Sequence, residues 1–171
     1  MKSLLIIGAG QYGQLVKELA EAMGYQKIDF LDDSAIDAVG NLQDVTVMQE
    51  EYDGCIVAIG NSEIKKRMYQ NIKNPVTLIH PSTVISNSAV IEAGCVIEAN
   101  AVIHTAAAIE IGTFICSGVV VNHNSIVKSF SQIDCNAVVA AGTIVPEGTK
   151  VLPCTVWNKK PQMPVGDESF F

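Results

Sequence analysis

Two stretches of this chain carry residue types that can do chemistry. The first is Gly8-Ala9-Gly10-Gln11-Tyr12-Gly13, with Asp32 and Asp33 about twenty residues further on. Glycines where a strand turns into a helix let backbone N–H groups approach a phosphate, and the positive helix end favours the anion. An acidic residue at that spacing suits a ribose hydroxyl. The pattern fits the phosphates of a dinucleotide or a purely structural turn. The second stretch is His123 followed by Asn124. An imidazole titrating near roughly 6.5 can take a proton at neutral pH. An amide beside it can orient the ring but cannot offset the charge the ring gains. The competing reading of His123 is a surface side chain with no role. The three histidines, His80, His104 and His123, are spaced 24 and 19 apart, which sets no two cleanly on one edge of a repeat. No metal is expected from them.

What must position His123 is a repeat. Residues 81–158 divide into hexads with no insertion or deletion. The fifth place reads Ile85, Ile91, Ile97, Ile103, Ile109, Ile115, Val121, Val127, Ile133, Val139, Val145 and Val151, and Trp157 closes it. The third place is small throughout, as at Thr83, Ala101, Ser125 and Thr155. A strict short period of this kind marks a β-solenoid, one short strand and one corner per hexad. The aliphatic points inward and stacks on its copies; the sixth place, as at Glu98 and Glu110, is expected to point outward. His123 opens a hexad and so sits at a corner. Three hexads make an eighteen-residue triangular coil, which puts Ala141-Gly142 one coil beyond His123. A backbone N–H there can serve an oxyanion, or the glycine can simply serve the corner.

The glycine loop needs a different setting. Leu4-Leu5-Ile6-Ile7 reads as a strand buried on both faces. A helix follows, with Leu15, Val16, Leu19 and Met23 on one face and Gly24 at its end. Ile28-Asp29-Phe30-Leu31 is a second strand and Cys55-Ile56-Val57-Ala58-Ile59 a third. Gly60-Asn61-Ser62 then starts a helix through about Ile72, with Asn61 or Ser62 as its cap. Residues 34–52 read as loop, with Val45-Thr46-Val47 a minor strand, and Val76-Thr77-Leu78-Ile79 as the last strand of this half. The alternation gives an α/β half-Rossmann domain over residues 1–79, a parallel β-helix over 80–158 and a tail over 159–171. Such a half domain lacks the second half of a dinucleotide fold, which weighs against a nicotinamide enzyme.

Composition narrows the setting. The net charge of −7 argues against nucleic acid and anionic membrane surfaces. No apolar run approaches a membrane span, and the opening residues read as a buried strand rather than a signal peptide. The five cysteines have no close-spaced pairs and fit a reducing, cytoplasmic setting.

The motifs Gly8-Ala9-Gly10, Ala58-Ile59-Gly60-Asn61, Ile79-His80-Pro81-Ser82 and Val121-Asn122-His123, together with the hexads, resemble the sugar O/N-acyltransferases of the hexapeptide-repeat family. These enzymes join a small nucleotide-binding domain to a left-handed β-helix. The resemblance implies acetyl-CoA as co-substrate and a nucleotide-activated sugar, UDP-linked or similar, as acceptor. It implies His123 as general base with Asn124 beside it, and a sugar-nucleotide site at Gly8, Gly10, Tyr12, Gly13, Asp32, Asp33, Gly60 and Asn61. Coenzyme A would lie against Ala141, Gly142, Lys159 and Lys160, in a homotrimer. The chain departs from the family pattern at Tyr12, where relatives often carry His, at Cys116, often Asn, and at Asn124, commonly acidic. The alternative the departures leave open is a sugar-nucleotide-binding or assembly protein that kept the fold without the catalysis.

Overall fold

The computed structural model describes residues 2–159. Strands β1 (Ser3–Ile7), β2 (Lys27–Leu31) and β3 (Gly54–Val57) form a parallel sheet in the order β2-β1-β3. The central β1 is buried along its whole length, as an unalternating apolar run requires. Leu4 and Ile6 face helix α1 (Gln11–Ala22) and the solenoid side chains Val96 and Phe114. Leu5 and Ile7 face the opposite cluster, built from Val45, Met68 and Tyr69. Helix α1 buries Gly13, Val16, Leu19 and Ala20, whereas Leu15, expected on the buried face, is 38% exposed. Gly24 ends the helix in the left-handed region at φ +83°, where a side chain would be strained.

Two readings of the middle segment are corrected. Val45-Thr46-Val47 is not a strand but part of a short helix, α2 (Val45–Met48), flanked by 3-10 turns. Asn41 and Asp44 form a reciprocal capping box just before it. That local capping overrides the β preference of two valines and a threonine. The second correction is at 76–79. Residues 74–76 reach β3 only through an isolated bridge, the Val76 N–H donating to the Cys55 carbonyl at 2.9 Å and the Cys55 N–H to the Asn74 carbonyl at 3.0 Å. Leu78–Ile79, strand β4, pairs instead with Val96–Ile97, and so forms the first rung of the solenoid. Helix α3 (Ser62–Tyr69) also stops earlier than expected.

From β4 to β17 (Val156–Trp157) every strand is two residues long, and the coil comprises three parallel sheets. One holds β4, β7 (Val96–Ile97), β10 (Phe114–Ile115), β13 (Gln132–Ile133) and β16 (Lys150–Val151). The second holds β5 (Val84–Ile85), β8 (Val102–Ile103), β11 (Val120–Val121), β14 (Val138–Val139) and β17. The third holds β6 (Val90–Ile91), β9 (Ala108–Ile109), β12 (Ile126–Val127) and β15 (Ile144–Val145). Registers such as Ile97↔Ile115↔Ile133 are eighteen apart, as the hexads require. The fifth-place residues from Ile97 to Val151 form one buried column-filled core, with Cys95, Ala101, Ala107 and Ala137 of the third place among them. From Gly94 to Cys154 every second-place residue has a left-handed φ, including Asn124 at 57°. Asn tolerates that conformation better than most residues, so the backbone gives its own reason for an amide at 124.

The fourth place points outward and explains how the domains meet. On the first sheet Leu78, Val96 and Phe114 are buried under the N-terminal domain. Tyr69 ties the two together: its hydroxyl donates to the Gly94 carbonyl at 2.7 Å, and its ring stacks on Phe130 at 6.0 Å. Lys66 adds an ion pair to Glu147. The other two sheets carry Val84, Val90 and Val156 outward and exposed.

Candidate functional site

The sheet order places the glycine loop at a topological switch point. From β1 the chain crosses to β2 on one side and later to β3 on the other, so a crevice opens beyond the carboxyl ends of β1 and β3. Both edges of that crevice are glycine. Gly8 has φ +105°, and a Cβ there would sit 2.8 Å from the Ile59 side chain and 3.1 Å from the Ala58 carbonyl. This close approach sets the two loops side by side. Gly13 is required for packing, since a Cβ would lie 2.1 Å from the Gly8 carbonyl oxygen. Gly10 and Gly60 differ: a Cβ at either would meet nothing within 4 Å. Gly10 is also the N-cap of α1, without any side-chain cap and with no acidic residue in the first turn. The helix end is therefore left with free N–H groups and its positive dipole facing open space, a setting suited to phosphate.

The acidic pair works from inside the loop. Asp32 accepts the Ala9 N–H at 2.9 Å, the Ser34 N–H and hydroxyl at 2.9 Å each, and the Ala35 N–H at 3.1 Å. These bonds, the one from Ala9 foremost, hold its carboxyl below the usual range. Asp33 accepts the Leu42 N–H at 2.9 Å. Asn61 caps α3 by accepting the Ile64 N–H at 3.0 Å. Each of these three therefore shapes the crevice wall with at least one side-chain oxygen. Tyr12 is a correction. Expected to hydrogen-bond a sugar, it turns its ring onto Phe114, 4.5 Å between centroids, and buries its hydroxyl in the domain seam without a partner. Burial, and then the nearby Cys116 and Glu98, push its phenol well above the ordinary value.

His123 lies exposed at the corner between the second and third sheets, away from the sheet that the N-terminal domain covers. Its Nδ1 is 3.2 Å from Asn124 Nδ2. In that orientation the amide donates to Nδ1, which leaves the neutral ring's proton on Nε2. A general base acting through Nε2 needs the reverse arrangement, which a half-turn of the amide provides. One coil on, Gly142 donates its N–H to the His123 carbonyl at 3.1 Å. That places 141–142 where the period puts it, but it removes Gly142 as a free donor. The Ala141 N–H has no backbone acceptor among the described residues and remains available. Lys159 sits 5.1 Å from the Trp157 ring, and Lys160 lies outside the described residues. Within one chain the glycine crevice and His123 are on different sides of the β-helix.

Sequence reasoning missed the seam between the domains. Lys65 on α3 is fully buried there, its ammonium 3.3 Å from the Phe114 ring centre and 3.4 Å from the Phe130 carbonyl. Burial depresses it to about 7, against the smaller opposing pull of Cys95 and Cys116. Glu98, expected outward, is 5% exposed and accepts the Ser117 N–H and hydroxyl. Both belong to polar residue types normally read as solvated. Only the packing of α1 and α3 onto the first sheet reveals them.

The lysine predicts a pH dependence. The unfolded chain holds the Lys65 proton up to roughly 10.4, whereas the folded chain releases it near 7. Between those limits the unfolded state binds more protons, so this group's contribution makes stability rise with pH. Lys65→Met should remove that slope. Chemical denaturation at pH 7 and pH 10 should show wild type gaining on the variant by up to about 1.4 kcal/mol per pH unit. A difference that stays constant with pH sinks the assignment.

Comparison with known proteins gives a consistent picture. Residues 3–72 match the family described as the PglD N-terminal domain. The chain is similar to the acetyltransferase domain of PglB from Neisseria gonorrhoeae FA1090, with 28% identity and a TM-score of 0.85, covering 91% of this chain and 82% of that one. The same domain has been solved in complex with acetyl coenzyme A. PerB from Caulobacter crescentus, in complex with CoA and GDP-perosamine, shares the fold at 20% identity and a TM-score of 0.61, covering 91% of each chain. The parallel coil is thus a left-handed β-helix, the fold it shares with these proteins. No helix among the described residues is long and apolar enough to cross a membrane.

Proposed function

We propose, from the premise that this chain belongs with the hexapeptide-repeat sugar acyltransferases, that it transfers an acetyl group from acetyl-CoA to a nucleotide-activated sugar. The observation that carries the reading is the pairing of an open, glycine-edged phosphate crevice with an exposed corner histidine in one fold. The crevice would hold the nucleoside diphosphate on the α1 N–H groups. His123 Nε2 would take the proton of the sugar amine or hydroxyl as it attacks the thioester carbonyl. The Ala141 N–H would meet the developing oxyanion, and the C–S bond would then break to release coenzyme A. Lys159 and Lys160 would meet the phosphates of the coenzyme.

Because crevice and histidine lie on different sides of one chain, the reading requires a neighbour to complete the site. The two β-helix faces that meet at His123 carry Val84, Val90 and Val156 bare, while the third face is already covered. A homotrimer with those faces packed together would bury the valines and bring the crevice of one subunit to His123 of the next. A second reading, a sugar-nucleotide-binding protein without catalysis, is favoured by one observation, an amide in place of a carboxylate beside Nδ1.

Two measurements test the proposal. Acetyl-CoA turnover against a panel of UDP- and GDP-linked amino and hydroxy sugars separates the two readings. Ligand-induced stabilisation tests the crevice: a nucleotide sugar at 100 times Kd should add about 2.7 kcal/mol. Gly10→Val should abolish that gain yet fold normally, since Gly10 has φ −64° and open space around it. A coenzyme A effect should survive the change. Stabilisation by NAD with none by any nucleotide sugar overturns the assignment.

A further inference from the structure

We propose that Glu98, Cys116 and Cys135 form a binding site for a thiophilic divalent cation, zinc above all. The β-helix period builds it. Residues 98 and 116 occupy the same corner place one coil apart, and 135 follows one coil later with a single-residue step. One carboxylate oxygen and the two sulfurs all lie within 4.8 Å of one another, the only such grouping of His, Cys, Asp and Glu among the described residues. The three histidines, the obvious ligands in the sequence, do not join it.

A second observation points into the same place. Glu98 is 95% buried; Ser117 holds its Oε2, and its Oε1, without a hydrogen bond within 3.5 Å, faces the neighbourhood of the Tyr12 hydroxyl and the Cys116 thiol. Among the described residues, the Tyr12 hydroxyl is the other buried side-chain polar atom left unpartnered. Buried polar atoms are rarely left so without a ligand, water or ion. Two thiolates and one carboxylate are a zinc donor set, and three protein ligands leave a fourth position open. Magnesium and calcium select oxygen ligands instead. With Zn–S near 2.3 Å and Zn–O about 2.0–2.2 Å, closing the cluster requires drawing the ligand atoms slightly together. Cys135 is exposed. Binding releases the two thiol protons. The two thiolates and the carboxylate then carry three negative charges against the two of the cation. Asp134, 4.0 Å from the Cys116 sulfur, is itself paired with Lys150 at 3.3 Å.

The site does not depend on the acyltransfer reading, and its test does not read activity. Full-length protein stripped with a chelator is titrated with Co²⁺, then with Zn²⁺ against a chromophoric competitor. One equivalent per chain, with a thiolate-to-cobalt charge-transfer band that zinc abolishes, is the expected result. Cys135→Ser, an exposed change that leaves packing intact, should lower zinc affinity by about 100-fold. Glu98→Gln should lower it by about tenfold or more while keeping the band. Cys154→Ser, outside the cluster, should change nothing. Absence of the band in wild type, or equal zinc affinity in wild type and Cys135→Ser, overturns the proposal.

Discussion

His123→Ala should lower kcat/KM by about 10²- to 10⁴-fold, the usual contribution of a positioned base, with no change in melting temperature because the side chain is exposed at a corner. The same variant tests whether the site is shared. If the glycine crevice and His123 of one site come from two subunits, His123→Ala and Gly10→Val chains complement each other. Each is inactive alone. Co-refolded in equal amounts, they regain activity of about a quarter of wild type, the chance that an interface pairs an intact histidine with an intact crevice. If both halves came from one chain, no mixed assembly would contain an intact site. Asn124→Asp sharpens the point. A carboxylate accepts from Nδ1–H, fixes the base tautomer and stabilises the imidazolium. The acidic limb of kcat/KM should move to higher pH, and turnover near pH 8 should rise about tenfold, equivalent to about 1.4 kcal/mol of barrier. Unchanged turnover in His123→Ala places the base elsewhere. Inactivity of both wild type and Asn124→Asp, with nucleotide binding preserved, favours the non-catalytic reading.

The β-helix was legible because its information is periodic and local. A fifth-place aliphatic and a third-place small residue recur along the hexads, and the structure buries both in the central coils, while Ile85, Ile91 and Thr155 at the ends stay partly or fully exposed. The same period placed 141–142 against His123 correctly. It could not say that Gly142 would spend its N–H there, because hydrogen bonding at a corner is decided by backbone angles rather than side-chain type. The glycine loop was legible for the same local reason, down to which glycines pack and which stay open only once the β3 loop is seen beside it. What failed were positions decided by a neighbouring cap or by contact between the halves. Val45-Thr46-Val47 has strand composition, yet the Asn41 and Asp44 cap makes a helix. Leu78–Ile79 has strand composition too, and only pairing with β7 reveals which sheet claims it. Glu98 shares its place in the hexad with Glu110. One is covered by α1 and the other remains at the surface, paired with Lys128 at 2.6 Å. Tyr12 likewise reads as a loop residue until the seam closes over its ring.

Ile115→Asp should cost several kcal/mol, against a total stability of roughly 5–15 kcal/mol for a domain. Ile115 is fully buried and stacked between Ile97 and Ile133 in neighbouring coils. An aspartate there must either remain charged among aliphatics or take up a proton and lose its hydrogen bonds, and neither form finds a partner in that column. A solenoid adds neighbour to neighbour, so a damaged central coil loses its interface on both sides. The same change at Val151, near the end of the column and 3% exposed, should cost less, because the final coil can loosen without parting the rest. Glu110→Asp supplies the outward comparison. Its side chain is 24% exposed and holds Lys128 and Ser129, so the change should stay within about 1 kcal/mol. Denaturant midpoints for the three variants should therefore fall in the order Glu110, Val151, Ile115, from least to most damaged. Equal losses at Ile115 and Glu110 would mean that the inward column does not carry the stability of the coil.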